Sequence, residues 1–137
     1  MTTPDQSTTS DATHAIIFDL KALTRFDAAT PTVTILADTG AAQVVLLAMR
    51  NGQSARDIET PSQQIAQCLR GRAILQIGAA TQALRAGLVA LVEANTRHSF
   101  IATTDCVVLL TLTPSPEQRL AHHLFADVTP LVVRGDA

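Results

Sequence analysis

The sequence predicts an all-β protein, an antiparallel sandwich or barrel. Two observations carry this. Eight or nine short apolar segments recur at the eight-to-twelve-residue spacing of such folds, with glycine at the turns between them. No long stretch of helical period interrupts them, which excludes a parallel sheet built from strand–helix–strand units.

The elements follow in order. His14 to Leu20 (HAIIFDL) is the first strand candidate. Thr32 to Leu36 (TVTIL) alternates Thr with Val and Ile, the period of a half-buried strand. Ala37 to Gly40 supplies turn residues, and Gln43 to Met49 (QVVLLAM) is the next strand, closed by the turn pair Asn51-Gly52. Gln63 to Leu69, Ala73 to Ile77, Thr81 to Leu84, Leu88 to Val92 and His98 to Ala102 are further short strands. Cys106 to Leu112 (CVVLLTL) is the last and most apolar.

One short helix is predicted near the C-terminus. Ser115 is placed to N-cap it, Pro116 suits its first position, and Gln118 completes a capping box. Leu120, Leu124 and Phe125 form its apolar stripe. His122 and His123 fall in its last turn as a solvated end; neighbours on a helix point about 100° apart and do not chelate together. Thr129 to Val133 (TPLVV) returns to a sheet edge or to a partner subunit. Residues 1–12 read as a disordered polar tail, and 13–137 as a single domain with its core barrel over 43–112.

Composition excludes several functions. The 137 residues are 47% hydrophobic, ample for a core, and no apolar run approaches the length of a membrane span. The formal net charge of −2 leaves no basic footprint for nucleic acid or anionic lipid. Trp and Tyr are absent, so any stacking surface would rest on four Phe. The first ten residues have neither the charged nor the apolar region of a signal peptide, which leaves a cytoplasmic location as the expectation. Cys68 and Cys106 each lie in an apolar run and read as buried free thiols; a redox pair would lack the C-x-x-C spacing.

Three glycines, Gly52, Gly71 and Gly87, separate strand candidates, as tight hairpins require. Their spacing carries a resemblance. GQSARDIETPSQQIAQCLRG (52–71) has the glycine spacing of the first cupin motif, G-x5-H-x-H-x3-E-x6-G. GLVALVEANTRHSFIA (87–102) follows the second, G-x5-P-x-G-x2-H-x3-N, after a fifteen-residue spacer (72–86). Residues 44–112 therefore resemble the cupin family. The resemblance implies two facing antiparallel sheets, the jelly-roll or double-stranded β-helix, with a small-molecule or metal site inside.

In typical cupins two His and one Glu of the first motif, and the His of the second, hold a divalent ion. Here those positions are Ile58, Thr60, Gln64 and His98. Only His98 matches. Ile58 has no donor, and Thr60 and Gln64 are neutral oxygen donors, poor company for Fe, Mn, Zn or Ni. The expectation is no tight metal, with His98 and Gln64 the only candidates if one binds. A β-bulge turning Asp57 and Glu59 inward would be an alternative; the plainer reading leaves both in solvent or paired with Arg56, Arg70 or Arg72. Glu93 reads as a solvated turn acid at the barrel mouth.

Strand parity puts Ile58, Thr60, Gln64, Ala66, Cys68, His98, Phe100 and Ala102 on the interior face. That is a small, mostly apolar lining suited to a small organic ligand. His98 is either a polar anchor or general base, or a remnant bonded to Gln64 or Thr60; without a charged partner, burial keeps it neutral. The His and Tyr of the superfamily's nucleotide-sugar epimerases are not both present, since the chain has no Tyr. The strands at 43–49 and 106–112 are apolar on both faces, which predicts a two-fold homodimer, with Ala15 to Leu20 adding to a neighbour's sheet edge. Three readings result: a cupin that binds a small molecule without tight metal, a metal-dependent oxygenase or isomerase using His98, or a structural or regulatory dimer module.

Overall fold

The computed structural model describes residues 15–116 and the backbone of 129–132. The strands are β1 (Thr32–Asp38), β2 (Gln43–Met49), β3 (Ser54–Ile58), β4 (Gln63–Arg70), β5 (Arg72–Ile77), β6 (Ala80–Arg85), β7 (Val89–Val92), β8 (His98–Ala102), β9 (Cys106–Thr113) and β10 (Thr129–Val132). A one-turn helix, α1 (Leu20–Leu23), precedes them. They form a six-stranded sheet ordered β10-β1-β2-β9-β4-β7 and a four-stranded sheet ordered β3-β8-β5-β6. Neighbours pair antiparallel throughout, except that β10 runs parallel to β1 at the edge of the larger sheet. Two facing sheets in this order make the jelly-roll the sequence predicts.

Period-two patterning explains the core. On β2, Val45, Leu47 and Met49 point inward; on β9, Cys106, Val108, Leu110 and Leu112 do the same. Phe100, fully buried on β8, meets them from the opposite sheet. The alternate residues Leu36, Leu46 and Val107 face outward, where Phe18, Leu20, Leu23 and Phe26 cover them. The chain's own N-terminal segment therefore covers the apolar outer face for which the sequence suggests a partner.

That segment corrects the first predicted strand. Residues 15–19 form no strand, and Leu20–Leu23 is helical. The Ala22 N–H donates to Asp19 Oδ1 at 3.1 Å, an N-cap that starts a turn of good helix formers. Ile16 and Ile17 stay exposed.

β3 has no counterpart among the predicted strands. Its sequence, SARDI, buries only Ala55 and Ile58, with a bulge between them at which Asp57 takes φ 56°. The bulge breaks the alternation by which strands are recognised. At the C-terminal end, β10 returns 129–132 to a sheet edge, one of the two predicted outcomes. The body of the predicted helix, from Gln118 to Phe125, and the predicted tail at 1–12 lie outside the described residues.

Candidate functional site

The register of the larger sheet builds the barrel interior in rows. Gln43, Leu112, Gln64 and Val92 lie side by side on β2, β9, β4 and β7. The next row is Val45, Leu110, Ala66 and Ala90, and the one after is Leu47, Val108 and Cys68. Two rows are thus apolar, and the first carries two amides. On the smaller sheet His98 pairs with Ile58 at this same end, while Phe100 lies deeper between Ala55 and Leu75. The barrel has one polar end and an apolar body.

The loops at the polar end are tied together. The Asn95 N–H donates to the Thr60 carbonyl at 2.7 Å, and Ser62 Oγ donates to the Pro114 carbonyl at 2.5 Å. Asn95 has φ 63°, at the position where the cupin motif carries glycine; Asn tolerates that left-handed conformation better than most residues.

His98 is 2% exposed and its hydrogen bonds define its tautomer. Nδ1 lies 2.8 Å from the Thr96 carbonyl, which only accepts, so Nδ1 carries the proton. Nε2 lies 2.9 Å from Gln64 Nε2. Burial lowers the pKa of His98, partly opposed by the Thr96 carbonyl, so the ring is neutral and Nε2 accepts from the Gln64 amide. The ring also meets Phe100 edge-on at 5.5 Å between centroids. The Gln64–His98 bond joins the two sheets across the barrel.

It leaves Gln64 Oε1 buried without a donor, and Gln43 Oε1 is in the same state. Gln43 Nε2 donates to Asp38 Oδ2 at 3.3 Å. An orphaned buried acceptor costs about 1–3 kcal/mol, so two at one end of a barrel call for an explanation.

All eight residues that parity placed inside are buried: Ile58, Thr60, Gln64, Ala66, Cys68, His98, Phe100 and Ala102. Only Thr60, Gln64 and His98 bring polar side chains to the polar end; Ala66, Cys68, Phe100 and Ala102 pack in the apolar body. The β-bulge is present at Asp57, but it turns neither acid inward. Asp57 and Glu59 are exposed, and Glu59 accepts from Arg97 Nε at 3.3 Å rather than from Arg56, Arg70 or Arg72. Glu93 is exposed. Cys68 and Cys106 are buried free thiols; burial raises both, Cys106 to about 12, which leaves them poor nucleophiles.

The donor set does not fit the divalent ion of typical cupins. Ile58 offers nothing, and the His98 lone pair is used by Gln64. Among the described residues no group of three or more His, Cys, Asp or Glu is arranged to hold a metal. Gln43 is the site residue that sequence reasoning missed. Its signal was present: it shares the inward parity of Val45, Leu47 and Met49, and a polar residue at such a position needs a reason.

Residues 41–126 match the model of the AraC-like ligand-binding domain. No curated protein matches the chain. Among solved structures, TT1209 from Thermus thermophilus superposes with a TM-score of 0.68 at 21% identity, over 74% of this chain and 100% of that one. An RmlC-like cupin from Desulfovibrio desulfuricans gives 0.68 at 22%, over 74% and 98%. The DMSP lyase DddQ from Ruegeria pomeroyi gives 0.59 at 13%, over 65% and 49%. At these identities the structural likeness speaks to the fold, and among the described residues no helix is long and apolar enough to cross a membrane. The sequence match spans more than half of the chain and the jelly-roll agrees with it: the protein belongs to the AraC-like ligand-binding domains of the cupin superfamily.

Proposed function

We propose that the domain binds a small molecule at the polar end of its barrel, without a tightly held transition metal. The observation that carries this reading is the buried Gln64–His98 pair, aimed inward and left with one free acceptor. A ligand that supplies a donor there gains a hydrogen bond in a low-dielectric site, where the bond is stronger than in water. Membership of a ligand-binding family supports the same reading.

Thermal unfolding of the full chain against a library of small polar metabolites tests it. At least one compound will raise the wild-type midpoint by several degrees. Gln64→Leu will weaken that compound by roughly five- to tenfold, the worth of about one hydrogen bond. A library without a hit, or hits indifferent to Gln64→Leu and His98→Leu, overturns the reading. Elemental analysis of protein purified without chelator decides the metal: a stoichiometric transition ion lost on His98→Ala would favour a metal-dependent enzyme instead.

We also infer that the domain forms a homodimer through the outer face of β4 and β7. Ile65 is paired with Leu91 there, and with Val89 they stand 39%, 60% and 59% exposed beside an edge strand. A second copy would cover both strips at once by two-fold symmetry. Light scattering at tens of micromolar should give twice the chain mass, falling to one chain mass in Leu91→Lys. A monomeric wild type at that concentration ends the idea.

A further inference from the structure

We propose that Gln43 and Gln64 act together as an acceptor pair, which restricts the ligand to compounds that bear N–H or O–H donors and no anionic group. The proposal rests on the ligand-binding reading above and extends it by naming the ligand class. Three observations support it.

The first is position. Gln43 and Gln64 both pair with Leu112, one from each side, and both follow the inward parity of their strands. Two strand spacings separate their backbones, about 10 Å. Both side chains are 0% exposed, so they project into one end of one barrel.

The second is that neither amide can turn over without cost. Gln43 Nε2 faces the Asp38 carboxylate, and a reversed amide would set oxygen against oxygen. The Ser115 hydroxyl first, then the Gly40 N–H and Gln43, hold Asp38 below the usual carboxylate range against the opposing effect of burial, so it stays ionised. Gln64 Nε2 serves the His98 lone pair, and a reversed Gln64 would demand a buried imidazolium, because Nδ1–H is already committed to Thr96. The two Oε1 atoms therefore remain acceptors in need of donors.

The third is charge. The buried polar residues among those described include no Lys or Arg, and Arg97, near the mouth, is exposed and paired with Glu59. None of these residues would compensate a carboxylate or a phosphate, whereas the acceptors suit an amide, an amine or a diol. The apolar side chain of Leu112 between them suits a short carbon spacer.

Four probes with a common four-carbon skeleton test this on the full chain: succinamide, 1,4-butanediol, 1,4-diaminobutane and succinate. Titration calorimetry should rank at least one of the three donor probes tenfold or more ahead of succinate. Gln43→Met should abolish that preference by weakening the best donor probe about tenfold. The same variant should leave the ligand-free melting temperature equal to or above wild type, since it removes an unsatisfied atom. A purely structural Gln43 would instead lower that temperature and leave the ranking alone. Succinate binding as well as the donors, or no donor probe binding, overturns the acceptor pair. The wild-type ranking needs no variant to fold. If metabolites bind through Gln64 and His98 while Gln43→Met leaves their affinity unchanged, only the pair fails. If nothing depends on Gln64 or His98, the binding reading fails with it.

Discussion

Gly71→Ala will lower the unfolding free energy by about 3 kcal/mol or more, the largest effect expected of an alanine at any of the described glycines. Gly71 links β4 to β5 with φ +77°, a conformation that costs a side-chain-bearing residue about 1–2 kcal/mol. The added Cβ would also lie 2.0 Å from the Asp105 carbonyl oxygen and 2.9 Å from the Cys106 Cα. These are backbone atoms, so no rotamer change relieves the contact. Asp105 cannot easily move, because its carboxylate accepts from the Asn51 N–H at 2.9 Å and from Arg50 at 3.0 Å. Gly87 is the matched control: its φ is +93°, yet a Cβ added there would meet nothing within 4 Å. Gly87→Ala should cost only the backbone part, about 1 kcal/mol. Urea unfolding midpoints compare the two directly. Equal losses at both glycines would refute the close-approach argument.

Acidification will destabilise the fold through His98. Its native pKa lies below the ordinary 6.5, because burial disfavours the imidazolium. Below about pH 6.5 the unfolded chain therefore binds a proton that the native chain refuses, and stability falls as pH falls. The loss proceeds at up to about 1.4 kcal/mol per pH unit until the native pKa is reached, then levels off. Above about pH 6.5 this residue contributes no slope. The groups touching the ring, Gln64, Phe100 and the Thr96 carbonyl, do not titrate. The carboxylates held below their usual range, Asp27, Asp38 and Asp105, act at lower pH, near and below the ordinary carboxylate pKa. Chemical denaturation of wild type and His98→Gln between about pH 5 and 8 isolates the effect as a difference. Parallel curves over that range would mean that His98 is not held neutral.

Much of the fold was legible because β-strands write themselves at period two. QVVLLAM and CVVLLTL announce buried strands wherever they occur. The spacing of Gly52, Gly71 and Gly87 matches the family's, but these turns are not the hairpins expected of them: they carry the chain from one sheet to the other, β2 to β3, β4 to β5 and β6 to β7. Two elements were misread for physical reasons. HAIIFDL has the composition of a strand, but Asp19 caps a helical turn and Phe18 and Leu20 pack on the outside of the barrel, so tertiary packing overrode propensity. SARDI hides a strand because its bulge shifts parity between Ala55 and Ile58.

Residue chemistry along the chain is enough to say which residues can face inward, that His98 stands without the other histidines and the glutamate of its family's motifs, and that any charge on it is costly. Parity and residue chemistry are local properties, and they can be read along an unfolded chain. What these groups meet depends on the folded arrangement of the strands. Register set Gln43 and Gln64 on either side of Leu112, and the facing sheet brought His98 Nε2 to Gln64. Hydrogen-bond satisfaction is a property of pairs of distant residues, 34 positions apart in the case of Gln64 and His98. A sequence records the two partners; the folded barrel alone shows that their bond leaves an acceptor free.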